Sequence, residues 1–200
     1  PREGLSADAV DAALAHFKAG DLEWKTGRAW AYVYDAGDEI DAVTKRAFAA
    51  FLSENALDPT VFPSLLALEN EVVAMMATHL GRPGAVGSMT SGGTESLILA
   101  MKTARDHARA HRPDVRRPNV VLPDTAHASF HKAAHYLDLE LRVTPVDASF
   151  RANVDAMSDA IDDQTVMLAG SAVSYAHGVV DPIERIAALA AARGLLCHVD

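Results

Sequence analysis

Cysteine is almost missing from this 200-residue chain: Cys197 stands alone. That excludes an internal disulfide framework and fits a reducing compartment. Basic residues are also scarce. Lys and Arg number 18 against 27 Asp and Glu, giving a formal net charge of −9. No basic run is longer than a pair such as Arg116–Arg117, so a nucleic-acid surface is not expected. No stretch approaches the ~18 uninterrupted apolar residues of a membrane span, and the N-terminus carries no signal-peptide pattern. Aromatic residues make up only 6%, and Trp24, Trp30, Tyr32 and Tyr34 crowd one short segment. What the chain does have is apolar content, 50% of its residues, which suffices for one full core in one domain or slightly more. These features predict a soluble cytoplasmic protein.

The first forty residues, punctuated by Gly20, Gly27 and Gly37, match a core element poorly and read as an extension that packs on something else. An amphipathic helix is expected over 41–52, with Val43, Ala47, Phe48, Phe51 and Leu52 on one face. After Pro59 and Pro63 a longer helix over 64–80 is apolar around much of its surface, and is expected to be largely buried. We therefore divide the chain into an N-terminal extension and helix over 1–60 and a main domain over 61–200. From Thr94 onward, amphipathic helices over 95–110, 127–137, 153–161 and 182–193 alternate with short apolar runs at 120–122, 139–143, 166–169 and 195–199. That alternation predicts an α/β fold with a mainly parallel sheet and helical crossovers.

The segment GSMTSGGTES at 87–96 has the makings of a phosphate cradle. Gly92 and Gly93 let the backbone approach a ligand without a Cβ in the way. Thr94 then opens a helix whose first N–H groups and positive dipole end suit an anion. A Ser/Thr-capped loop would read the same way. Ligands in open α/β sheets sit beyond the carboxyl ends of the strands, and polar residues gather there: Asp124 and His127 after 120–122, Ser171 after 166–169, Asp200 after 195–199. Taken singly, His127 also reads as a surface or capping histidine, Ser171 as a strand-end serine bonding local backbone, and Asp200 as a helix cap.

Four segments occur in order: TSGGTES at 90–96, AHASFHKAAHYL at 126–137, SAVSYAHGVVDP at 171–182 and CHVD at 197–200. From about Trp24 to the last residue, this pattern resembles the sphingosine-1-phosphate lyase family. That family belongs to the group II decarboxylases among fold-type-I enzymes using pyridoxal 5′-phosphate (PLP). The resemblance implies that Gly93 and Thr94 hold the PLP phosphate, that His127 stacks on the pyridine ring and that Ser171 lies near the cofactor. It implies that Asp200 keeps the ring nitrogen protonated; His127 and Asp200 are then the catalytic pair. A carboxylate in that place must be fixed by rigid neighbours, as the end of a buried strand provides.

Tyr34 in YDAGDE and Asn55 in SENALDP match family positions at the substrate end of the site. Asp58 stands where the lyases carry a phosphate-binding histidine, and a carboxylate there repels a phosphate dianion. The resemblance also implies a homodimer with shared sites, a cofactor-bearing lysine several tens of residues after the Asp, and no metal. The lysines Lys18, Lys25, Lys45, Lys102 and Lys132 do not fit that place. The lysine is therefore expected beyond residue 200, together with the remaining strands and a small C-terminal domain. The expected activity is carbon–carbon cleavage of a phosphorylated amino alcohol, on a small-molecule or lipid-phosphate substrate. A PLP-dependent amino-acid decarboxylase is the alternative, and a non-catalytic PLP-fold binding protein a third reading.

Overall fold

The computed structural model describes residues 3–29 and 33–200, so Trp30 and Tyr32 lie outside the described residues. The chain divides into two compact units, 1–86 and 87–200. The boundary expected at residue 60 thus lies inside the first unit.

The N-terminal unit is helical. Helix α1 spans Ala7–Lys18, with the Ser6 hydroxyl accepting the Ala9 N–H at its start. A 3-10 turn over Trp24–Thr26 follows, then α2 (Asp38–Ala50) and α3 (Pro63–His79). Three acidic side chains, Asp38, Glu39 and Asp41, sit in the first turn of α2, where the helix dipole favours them. Pro63 opens α3, a place where its missing N–H costs nothing. Helix α1 falls in the segment read as an extension, because its Ala-rich composition makes it helical by propensity rather than by a core-facing stripe. The expected burial of α3 is not met. Ala77 is its one buried residue, and Leu66, Leu68, Met75, Met76 and Leu80 are exposed. Apolar content measures what a helix could bury; within this unit α1 and α2 bury no residue and supply no layer to cover it.

The second unit is the α/β layer sandwich predicted. Helix α4 (Gly93–His111) leads to β1 (Asn119–Pro123), α5 (Ser129–Leu137), β2 (Glu140–Thr144), α6 (Val154–Asp159), β3 (Thr165–Gly170), α7 (Ile183–Ala192) and β4 (Leu196–Val199). The four strands form one parallel sheet in the order β2-β1-β3-β4. Strand β1 is buried along its whole length, as its continuous VVL run requires of a strand covered on both faces. Side chains alternate between two cores. Val120, Leu122, Met167 and Ala169 pack with Leu97, Met101 and Ala104 of α4 and Phe130 of α5. Val121 and Leu168 pack on the other side with Met157 of α6 and with Ile186 and Ala190 of α7. At Gly170 a Cβ would stand 2.8 Å from Ile186 Cδ1 and 3.2 Å from Ile183 Cδ1, so glycine is what lets α7 lie this close. Because every strand runs the same way, the loops after β1, β2, β3 and β4 all emerge at one edge. The strand order reverses between β1 and β3, which opens a crevice there.

Candidate active site

The start of α4 is built to leave donors free. Gly92 is the N-cap at φ 157°, a conformation that side-chain-bearing residues rarely adopt, and no side chain caps the helix. The loop before it is braced by its own hydroxyls. Thr90 Oγ1 lies 2.7 Å from Ser96 Oγ and donates to the Gly92 carbonyl at 3.1 Å. The Ser91 N–H and hydroxyl both donate to Glu95 Oε2 at 2.6 Å, which holds that carboxyl below its usual range, the hydroxyl contributing most. Glu95 is thereby turned back on Ser91, away from the space over the first turn. A Cβ on Gly93 would meet nothing within 4 Å, so that space is open.

A hydrogen-bond relay joins this helix start to the loop after β1. Thr94 Oγ1 lies 3.0 Å from Ser129 Oγ, and the Ser129 N–H donates to His127 Nδ1 at 3.1 Å. An accepting Nδ1 places the proton of the neutral imidazole on Nε2. The expected helix over 127–137 begins at Ser129 instead, which leaves His127 half-buried in the loop with its ring 5.4 Å from that of Tyr175. Ser171 follows β3 and is 3% exposed, its N–H donating to Asp181 Oδ2 at 2.8 Å. Asp200 is locked to the same strand end: its N–H donates to the Gly170 carbonyl at 2.9 Å, and its own carbonyl accepts from the Ala172 N–H at 2.7 Å. Two residues earlier, the His198 ring meets Phe130 edge-on at 5.8 Å, and burial pushes its pKa below 6.5 despite the opposing charge of Asp200.

The structure thus brings Gly93, Thr94 and His127 into one connected group, and Ser171 and Asp200 into another on the adjoining strand ends. Tyr34, Asn55 and Asp58 belong to the N-terminal unit. Tyr34 is 98% exposed. Asn55 Oδ1 accepts the Leu57 N–H at 3.1 Å, and Asp58 Oδ1 accepts the N–H and hydroxyl of Thr60 at 2.8 and 2.7 Å. Those bonds hold the Asp58 carboxyl below its usual range, the Thr60 hydroxyl contributing most. Sequence reasoning missed Ser129, the link between cradle and imidazole, and Asp181, which was visible only as the acid in HGVVDP.

Residues 16–200 match the pyridoxal-dependent decarboxylase conserved domain. The chain belongs to the pyridoxal-dependent decarboxylase family. It is 38% identical over its whole length to a sphingosine-1-phosphate lyase of Oryza sativa, of which it spans 38%. Over 79% of its length it is 42% identical to a probable L-tyrosine/L-aspartate decarboxylase of Methanoculleus marisnigri, spanning 42% of that protein. Its fold matches the solved sphingosine-1-phosphate lyase of Burkholderia pseudomallei with a TM-score of 0.92 and 34% identity, across all of this chain and 48% of that one. The chain therefore spans less than half the length of each of these relatives.

The cofactor of a pyridoxal-dependent decarboxylase is pyridoxal 5′-phosphate, and the residues present fit it. The uncapped first turn of α4 and the open space at Gly93 suit a phosphate. The imidazole of His127, fixed through Nδ1, offers a flat ring at the same edge. Asp200 places a carboxylate at the end of β4, held by two backbone hydrogen bonds to the end of β3.

Proposed function

We propose that the protein is a PLP-dependent carbon–carbon lyase that cleaves a phosphorylated amino alcohol of the sphingosine 1-phosphate type to a fatty aldehyde and phosphoethanolamine. The observation that carries this reading is the likeness, along the entire chain, to the rice lyase and to the Burkholderia lyase structure. Bound PLP supplies an electron sink for the pair released when the Cα–Cβ bond of the substrate breaks. The chain's own residues serve that chemistry. The N–H groups of Gly93 and Thr94 would hold the phosphate, and the Thr94–Ser129–His127 relay fixes the imidazole on which the cofactor ring would stack. The Asp200 carboxylate keeps a proton on the ring nitrogen, because a charge-assisted bond stabilises the protonated form. Ser171 stands beside it at the end of β3.

Tyr34, Asn55 and Asp58 are proposed to bind substrate, a reading that rests on the resemblance of YDAGDE and SENALDP to the lyase family. A homodimer completes the site, a reading supported by the apolar side chains that α2 and α3 leave exposed, among them Ile40, Val43, Phe48 and Met75. The protein works in the cytoplasm, a reading supported by its single cysteine.

The Methanoculleus likeness favours a second reading, an amino-acid decarboxylase, and Asp58 is consistent with a substrate that lacks a phosphate. One assay separates the two. The intact protein with PLP is given sphingosine 1-phosphate, L-tyrosine or L-aspartate, and aldehyde and carbon dioxide are measured. Aldehyde with phosphoethanolamine supports the lyase; carbon dioxide release from an amino acid, with the lipid untouched, replaces it with the decarboxylase.

A further inference from the structure

Asp181 is 2% exposed, and among the described residues no basic side chain pairs with it. A buried carboxylate in that state must be compensated by donors, and backbone groups provide them. Oδ1 accepts the Ala152 N–H and Oδ2 the Ser171 N–H, both at 2.8 Å, while the Asp181 N–H donates to the Ser171 carbonyl at 2.9 Å. Ala152 closes the turn after β2 by bridging to Val146, and Ser171 begins the loop after β3. One carboxylate therefore clasps together loops that leave two different strands. Since β1 lies between β2 and β3, the clasped loops flank the end of β1, where His127 sits.

The segment from 171 to 181 is a strap with a fixed course. Its inner turn closes through Ser174 N–H to the Val179 carbonyl at 2.9 Å and Gly178 N–H to the Ser174 carbonyl at 2.8 Å. Its tip carries His177, which stacks on Phe150 of the other loop at 4.6 Å and 15°, and Tyr175, whose ring lies 5.4 Å from that of His127. The inner turn would close without Asp181; the hydrogen-bonded tie to the β2 loop would not. We propose that Asp181 is a positioning residue for the cofactor site. It holds the strap so that Ser171 and Tyr175 keep fixed places beside His127. The proposal rests on the PLP reading above and adds to it a residue that touches neither cofactor nor substrate.

Asp181→Asn tests it, because an amide can accept only one of the two N–H bonds. In the intact holoprotein, PLP affinity should fall about tenfold, the loss of one charge-assisted bond passed on to the site. The visible circular-dichroism band of bound PLP should change at saturation, and chymotrypsin should cleave after Tyr175 faster. His177→Ala, an exposed change that removes only the second tie, should move all three in the same direction by less. A merely structural role would lower the melting temperature and leave the cofactor band of the folded protein unchanged, which overturns the proposal. If Asp181→Asn does not fold, His177→Ala decides: an altered band and faster cleavage support the clasp, wild-type values overturn it. Wild-type protein that binds no PLP would overturn the functional reading instead, and the cleavage rates would still decide the clasp.

Discussion

Replacing Gly93 by Ala separates a ligand cradle from an ordinary helix start, because the two readings predict different signs. Gly93 is the first residue of α4, its φ is not positive, and a Cβ there would meet no atom within 4 Å. The folded protein can accept the methyl group without strain. Removing a glycine from the unfolded chain then stabilises the fold by about 0.4–1 kcal/mol, worth a rise in Tm of about 1–4 °C for a chain of this size. The same methyl stands in the space over the first-turn N–H groups. Forcing it against a phosphate costs about 1–3 kcal/mol, so PLP should bind roughly 5- to 150-fold more weakly. The assay pairs thermal unfolding of the cofactor-free intact protein with a PLP titration followed by absorbance. Higher Tm with weaker binding is the expected result. Higher Tm with unchanged PLP affinity would refute the cradle and leave Gly93 as a helix start only.

Phe130, 1% exposed between α5 and the sheet, anchors the core beneath the site and supports the ring of His198; Phe130→Ala should cost about 3–5 kcal/mol in denaturant unfolding. Because burial lowers the pKa of His198 from 6.5, the unfolded chain takes up a proton more readily than the fold does below that pH. Its contribution to stability is therefore present above pH 6.5 and is lost as the pH falls toward the folded value. An NMR titration should place the His198 midpoint below 6.5, and a midpoint at or above it would refute the desolvation argument. Asp58→His should lower Tm, since Thr60 loses its acceptor, yet raise kcat/KM for the phosphorylated lipid by removing a like charge. Lipid cleavage that disappears with this change would show that the carboxylate is a working part of the site.

Local pattern carried much of the second unit. The runs at 120–122 and 166–169 are continuous because β1 and β3 are buried on both faces, and their lengths suit strands. Leu97, Met101, Ala104 and Ala108 recur at helical spacing and form the buried face of α4. The start of α4 was readable because a glycine pair before Thr94 is a local signal. The clasp and the relay were not, since they join residues far apart in sequence: Thr94 to Ser129, and Ala152 to Asp181. An aspartate before a proline reads as a turn until the fold brings a second loop to its other oxygen. The N-terminal helices misled in the opposite direction, because hydrophobic content in α3 says nothing about which surface covers it.

The central claim is that the carboxyl edge of this sheet holds PLP with Asp200 at its ring nitrogen, and Asp200→Ala in the intact protein tests it most directly. Losing a charge-assisted contact in a dry site costs about 2–4 kcal/mol, a loss of roughly 30- to 1000-fold in turnover. PLP should still bind detectably through Gly93 and Thr94, while aldehyde release from sphingosine 1-phosphate falls by that factor. Turnover within a few-fold of the wild-type rate would contradict the account.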